Sequence, residues 1–89
     1  MARFRIMTWQ GIPAQVKADD AAGGRASREM PSWFAQEIDR VAMRDGLAGT
    51  DAYLEHWTWS RSEEREGTAE EVVDAVIREQ AERWGRPVD

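Results

Sequence analysis

The chain predicts an α+β fold in two layers: a small, mostly antiparallel sheet built from a β-hairpin and a third strand, covered on one face by two helices, in the order ββαβα. Three observations lead there. Residues alternate in character on either side of Gln10-Gly11, an apolar stripe recurs at helical spacing beyond Met30, and Thr68-Ala69-Glu70-Glu71 matches the T-x-x-E capping box that opens a helix. Placing both helices on one side of the sheet buries every stripe with the fewest layers.

From Arg3 to Trp9, the residues Phe4, Ile6 and Thr8 alternate with Arg3, Arg5, Met7 and Trp9, the period-2 pattern of a strand. Gln10-Gly11 supplies a turn, and Ile12, Ala14 and Val16 then alternate with Pro13, Gln15 and Lys17 as the second arm of a hairpin. Pro13 has no N–H to give a ladder, so it is expected at the start of that strand or on an open edge where a partner can add. Asp19 to Arg25 carries Gly23-Gly24 and breaks both periodicities, which predicts a mobile loop.

A helix is expected from about Met30 to Asp45. Pro31 suits its first turn, Gly46 its termination, and Phe34, Ile38, Val41 and Ala42 its buried face, while Ser27-Arg28-Glu29 offers a start one turn earlier. Gly46 to Thr50 reverses the chain. Ala52 to Arg61, with Tyr53, Trp57, Thr58 and Trp59, reads as the third strand; the alternative is a short helix with Asp51 as its N-cap, supported by Leu54 and Trp57 at spacing three. Ser62 to Gly67 is polar and charged and reads as a turn or exposed loop. After the capping box, Val72, Val73, Val76, Ile77, Gln80 and Trp84 define a helix that Gly85 and Pro87 stop.

At 89 residues, residues 1–89 form one domain, because a chain of this size lacks the surface to bury two cores. The composition, 42% hydrophobic and 33% charged, is that of a folded chain rather than a disordered one. Without cysteine it holds neither a disulfide nor a thiolate metal site. It contains no apolar run long enough for a signal peptide or membrane span, so a cytoplasmic protein with no membrane role is expected. A net charge of −5 repels phosphate backbones and argues against nucleic acid as a partner. The charge is uneven: residues 1–30 hold five basic and three acidic groups, residues 31–89 seven and fourteen. If that polarity survives folding, the hairpin favours an acidic partner or an anion; if the charges intermix in space, it does not.

No residue cluster names a reaction, so no catalytic residue, cofactor or metal is assigned. The sole histidine, His56, lies between Glu55 and Trp57 with Asp51 near by, yet adjacent strand residues point to opposite faces and cannot chelate together. The acid pairs Asp19-Asp20, Glu63-Glu64 and Glu70-Glu71 suit solvated loops and helix N-termini. The serines lack a nucleophile-elbow context, and Gly23-Gly24-Arg25 lacks the spacing and strand-to-helix setting of a phosphate loop. Five tryptophans are more than a core this small requires. Trp33 and Trp84 fit helical core positions, whereas Trp9, Trp57 and Trp59 compete for cover; either they are all buried or they leave aromatic surface on the sheet face away from the helices.

Three segments carry a resemblance: Trp9-Gln10-Gly11-Ile12-Pro13-Ala14-Gln15-Val16-Lys17, then Phe34 to Met43, then Asp51-Ala52-Tyr53-Leu54-Glu55-His56-Trp57. Together they resemble the small bacterial proteins called the virulence factor family, with W-x-x-I-P-A-Q-V as the most specific stretch. The resemblance implies no defined activity and no catalytic residues. Similar domains are fused in longer proteins to an iron–sulfur-scaffold-like domain and helical repeats, which implies an accessory role. Others lie beside genes of folate- and corrinoid-dependent one-carbon metabolism.

These readings converge on a noncatalytic accessory module that binds a protein partner, or itself, through the hairpin edge and its aromatic surface, with Trp9, Gln10, Pro13, Gln15, Lys17, Trp57 and Trp59 as the candidate residues. Two alternatives remain. One is a small subunit of a one-carbon or methyl-transfer enzyme that contributes His56 or Gln15 to a site completed by a larger chain; the other is a small-molecule-binding domain that stacks a flat ligand on Trp57 or Trp59.

Overall fold

In a computed structural model of the protein, which describes residues 1–86, the alternating amino-terminal run forms β1 (Ala2–Trp9) and β2 (Ile12–Asp20), paired antiparallel. Gln10 and Gly11 link them with φ of 48° and 82°. Two successive positive φ values make a type I′ turn, whose twist matches that of the strands it joins. The pairing slips by one residue between Met7 and Thr8, so strict alternation holds only up to that point.

The stretch expected to be a mobile loop narrows to a tight turn between two strands. β2 continues through Asp20, and after a tight turn the chain returns as β3 (Arg25–Glu29), antiparallel to β2. Asp20 builds the turn: its Oδ1 accepts the backbone N–H groups of Ala22 at 3.0 Å and Gly24 at 2.7 Å. Ser27-Arg28-Glu29 belongs to this strand and does not begin a helix. β3 is an exposed edge with no apolar alternation, so it left no period-2 signal to read.

Helix α1 spans Ser32–Arg44, shorter than expected at its start, with Pro31 as N-cap rather than first-turn residue. Met30 precedes a proline, which disfavours the helical region, and its N–H bonds the Ala14 carbonyl at 2.9 Å, prolonging the β2–β3 pairing. Phe34, Ile38, Val41 and Ala42 are its buried residues, as the stripe predicts. Gly46 (φ 70°) ends it with the paired bonds of a Schellman motif, Gly46 N–H to Met43 and Leu47 N–H to Ala42.

Both readings of residues 51–61 are realised in succession. α2 (Asp51–Glu55) opens at Thr50, whose hydroxyl accepts from the Tyr53 N–H, and β4 (Trp57–Trp59) follows directly. The polar stretch read as a turn contains β5 (Glu63–Arg65). β4 pairs with Met7 to Trp9 and β5 with Ala2 to Phe4, so together they flank β1. Between them Ser60 satisfies Ile6 twice, its N–H donating to the Ile6 carbonyl at 2.8 Å and its Oγ accepting the Ile6 N–H at 2.9 Å.

The capping box forms as predicted at the start of α3 (Ala69–Arg83), with Thr68 accepting from the Glu71 N–H and Glu71 accepting from the Thr68 N–H. Gly85 closes α3 with a second Schellman pair; Pro87, the other expected stop, lies outside the described residues. The sheet is five-stranded and antiparallel, with strand order β3-β2-β1-β4 and β5 also on β1. α3 crosses β1, β2 and β3, sealing Phe4, Val16 and Ala18 under Val72, Val73, Val76 and Ile77. α1 lies against β2, and Trp84 meets Phe34 and Trp33 at ring-centre distances of 6.0 and 6.2 Å. The fold is α+β as expected, with two more strands and one more helix than the ββαβα reading.

Candidate interaction surface

The topology closes most of the edge on which partner addition was expected. β3 covers β2 from Gln15 to Asp19 and β4 with β5 cover β1 on the other side, so only the start of β2, at Ile12 and Pro13, has no outer strand. Pro13 is the second residue of β2, at the start of the strand as one of the two expected places has it, and it is fully buried next to the register slip rather than on an exposed edge. Trp9 is also fully buried. Its Nε1–H donates to the Tyr53 carbonyl at 2.8 Å, and its ring packs against Tyr53 (centres 5.4 Å apart) and, edge-on, against His56 (5.6 Å). A strand position that alternation placed away from the core is thus covered by α2. Trp9 and Pro13 therefore contribute structure, and Gln10 lies exposed at the turn.

The other candidates do meet. Residues opposite one another in a sheet share a face, and the register sets Lys17 beside both Arg5 and Ser27, Gln15 beside both Met7 and Glu29, and Trp59 beside Met7. This is the face opposite the Phe4, Val16 and Ala18 side that α3 seals. Lys17 comes from β2 and Trp59 from β4, with β1 between them, and the two side chains close over that strand: Lys17 Nζ stands 4.3 Å from the Trp59 ring centre. The Arg5 guanidinium stands 5.9 Å from the same ring. At this separation a half-exposed cation–π contact contributes about 0.5–1 kcal/mol. Gln15 Nε2 donates to Ser27 Oγ at 2.7 Å, holding the next row of the face in place.

Flanking rows carry compensated charge. Arg3 pairs with Glu64 at 3.7 Å and Arg25 with Asp19 at 3.6 Å, both solvent-exposed and worth little to stability. Arg5 and Lys17 carry no ion pair among the described residues.

Trp57 belongs to a second feature. With Met30, Ile38 and Tyr53 it walls a cleft of about 340 Å³ between α1, α2 and the start of β2, and Glu29 and Asp39 stand at its lining. Tyr53 and Trp57 meet edge to face with centres 6.0 Å apart. This is the low end of small-ligand cavity sizes.

His56 caps α2 and packs on Trp9, and among the described residues no group of three or more His, Cys, Asp or Glu side chains is placed to hold a metal ion. Of the acid pairs, Asp19-Asp20 contributes one carboxylate that ties two parts of the fold together. Besides building the turn, Asp20 accepts the Ala69 N–H on its Oδ2 at 3.0 Å, and these backbone donors hold its carboxyl below the ordinary value of 3.8. Arg5 and Ser27 were missed as members of the face. The hairpin register contains the signal for Arg5, since a two-residue turn at Gln10-Gly11 brings residue 5 opposite residue 17 once one slipped position is allowed. Ser27 had none, because its strand was invisible.

A family model described as "Virulence factor" matches residues 7–85. No curated protein and no solved structure matches the chain significantly.

Proposed function

The chain belongs to the virulence factor family, and from that premise we propose that it is a noncatalytic accessory module that binds a protein partner through the open face of its sheet. One observation carries the reading: Lys17, Arg5 and Trp59, from three different strands, converge on the sheet face opposite α3, beyond the end of that face that α2 covers at Trp9. A half-buried tryptophan framed by cations combines apolar area with directional charge, and aromatic and arginine side chains are enriched at the centres of protein interfaces. The reading differs from edge addition, since partner contacts run across side chains rather than along backbone groups. A cytoplasmic setting fits it, and no helix among the described residues is long and apolar enough to cross a membrane.

Pull-down from native lysate tests the surface, with Trp59→Ala and Lys17→Glu as the variants. Loss of the same captured protein in both, with unchanged circular dichroism, supports the module. Retention in both overturns the surface. Trp9→Ala is unsuited to this experiment because it removes a buried side chain.

A second reading rests on the cleft of Met30, Ile38, Tyr53 and Trp57, whose volume suits a small flat molecule stacked on Trp57. Titration with a panel of flat cofactors, followed by tryptophan fluorescence in wild type and Trp57→Phe, separates it from the first; a panel without any quenching removes it.

A further inference from the structure

We propose that the Lys17, Arg5 and Trp59 cluster seats a short acidic segment of the partner protein, one or two carboxylates wide. The inference rests on the open-face reading and adds the chemistry of the partner. Its starting point is an electrostatic anomaly. Arg5 and Lys17 lie directly opposite each other on paired strands, an arrangement of like charges that disfavours the pairing. The chain has seventeen acidic residues against twelve basic ones, so compensating carboxylates are not scarce. Arg3, Arg25, Arg28, Arg40, Arg44 and Arg65 each take one, whereas Arg61, Arg78, Arg83 and Arg86, like Arg5 and Lys17, take none among the described residues; what sets Arg5 and Lys17 apart is that they face each other across a strand pair. Arg5 and Lys17 instead share the negative face of one indole, which offsets part of their repulsion without neutralising either charge. Two adjacent cations held over a tryptophan form a site prepared for an anion from outside.

The surroundings fix how large that anion is. Ser27, beside Lys17, receives the Gln15 amide on its Oγ, so its own O–H proton is left to donate as a third group. Two residues along the strands, about 7 Å away, acidic side chains flank the cluster on both sides: Glu29 next to Gln15, and Asp19 and Glu64 next to Arg3. A nucleic-acid strand, charged at every nucleotide, would have to cross these carboxylates. A peptide with one or two acids fits between them and can lay apolar atoms on Trp59.

Lys17 is the only lysine in the chain, which makes the test direct. Reductive methylation with ¹³C-formaldehyde keeps the ammonium charge and labels Lys17 and the amino terminus alone. The labelled protein is titrated with an acetylated, amidated Gly-Glu-Asp-Glu-Gly peptide, with the matched Gly-Gln-Asn-Gln-Gly peptide, and with a five-nucleotide oligothymidylate. The expected result is a saturable shift of the Lys17 methyl signal with the acidic peptide only, weakened about tenfold by Arg5→Glu and by raised salt. Equal response to the acidic and amide peptides, tighter binding of the oligothymidylate, or an unchanged response in Arg5→Glu would overturn the proposal. If the lysate partner is lost in Trp59→Ala and Lys17→Glu while the acidic peptide fails to bind, the acidic partner falls and the surface reading stands.

Discussion

Trp9 Nε1–H donates to the backbone carbonyl of Tyr53 at 2.8 Å, a bond that spans 44 positions and fixes α2 against the end of the hairpin. The most distinctive residue of the amino-terminal strand therefore acts as a clamp. Alternation assigned it to the outer face, and the topology then built a cover for that face from Tyr53 and His56.

Replacing Trp9 should consequently damage the fold itself. Trp9→Ala leaves a cavity and is expected to cost about 3–5 kcal/mol, a large share of the roughly 5–13 kcal/mol available to a domain of this length. Trp9→Phe keeps most of the packing but leaves the Tyr53 carbonyl unpaired, at a cost of about 1–2 kcal/mol. Urea denaturation followed by circular dichroism checks both; equal stability of the two variants would mean that packing contributes nothing beyond the hydrogen bond.

Acid sensitivity should come from four carboxylates. Backbone donors at Asp20, the Arg40 bond at Glu37, the Thr68 cap bonds at Glu71 and the Arg65 bond at Glu79 each hold the folded group below its ordinary value of 3.8 or 4.5. For a depressed carboxyl the folded state binds its proton less readily than the unfolded state, so stability rises with pH between the two values. The stabilisation is complete above about pH 5, and it is lost as the pH falls through the ordinary range and below it. Asp20→Asn is expected to lower stability at pH 7 and to flatten this acid limb, because an amide nitrogen would face backbone N–H donors at either the turn or Ala69. Thermal melts from about pH 7 to about pH 2.5 measure it, and a wild-type midpoint that climbs on acidification would contradict the sign.

Gly24 is required for space. A Cβ there would meet Asp20 Oδ2 at 2.5 Å, the same oxygen that accepts the Ala69 N–H. Gly24→Ala should push this carboxylate aside and weaken two junctions at once, the β2–β3 turn and the start of α3. Hydrogen exchange is the fitting measurement: faster exchange at both Ala22 and Ala69 is expected, and a change confined to the turn would show that the Asp20 bridge survives.

What could be read from the chain follows from where side chains are forced to disclose their environment. The hairpin turn, the α1 stripe, and the capping box and stripe of α3 all place apolar or capping groups at fixed spacing, and all formed. β3 and β5 did not announce themselves, since an edge strand such as Arg25-Ala26-Ser27-Arg28-Glu29 buries little and needs no apolar period. Missing β3 made the whole of β2 look like an open edge, whereas Pro13 takes the other place expected of it, the start of the strand, and is buried there. The candidate surface divided along the same line. Lys17 and Gln15 follow from hairpin geometry and Trp59 from the alternation of a third strand, whereas the burial of Trp9 depends on a helix five residues long that arrives 42 positions later.

The hairpin turn offers a gain in stability. Gln10 holds φ at 48°, a left-handed conformation that costs a residue with a Cβ about 1 kcal/mol, and its side chain is exposed at the tip. Asparagine tolerates that region and is the preferred first residue of a type I′ turn before glycine. Gln10→Asn is therefore expected to stabilise the protein by about 0.5–1 kcal/mol without altering the Lys17 and Trp59 face. The order of the two turn residues matters, because Gly11 at φ 82° already supplies the second left-handed position. Gly11→Ala should lose at least as much as Gln10→Asn gains, and denaturation midpoints that move in the same direction for both variants would argue against a type I′ turn at the tip.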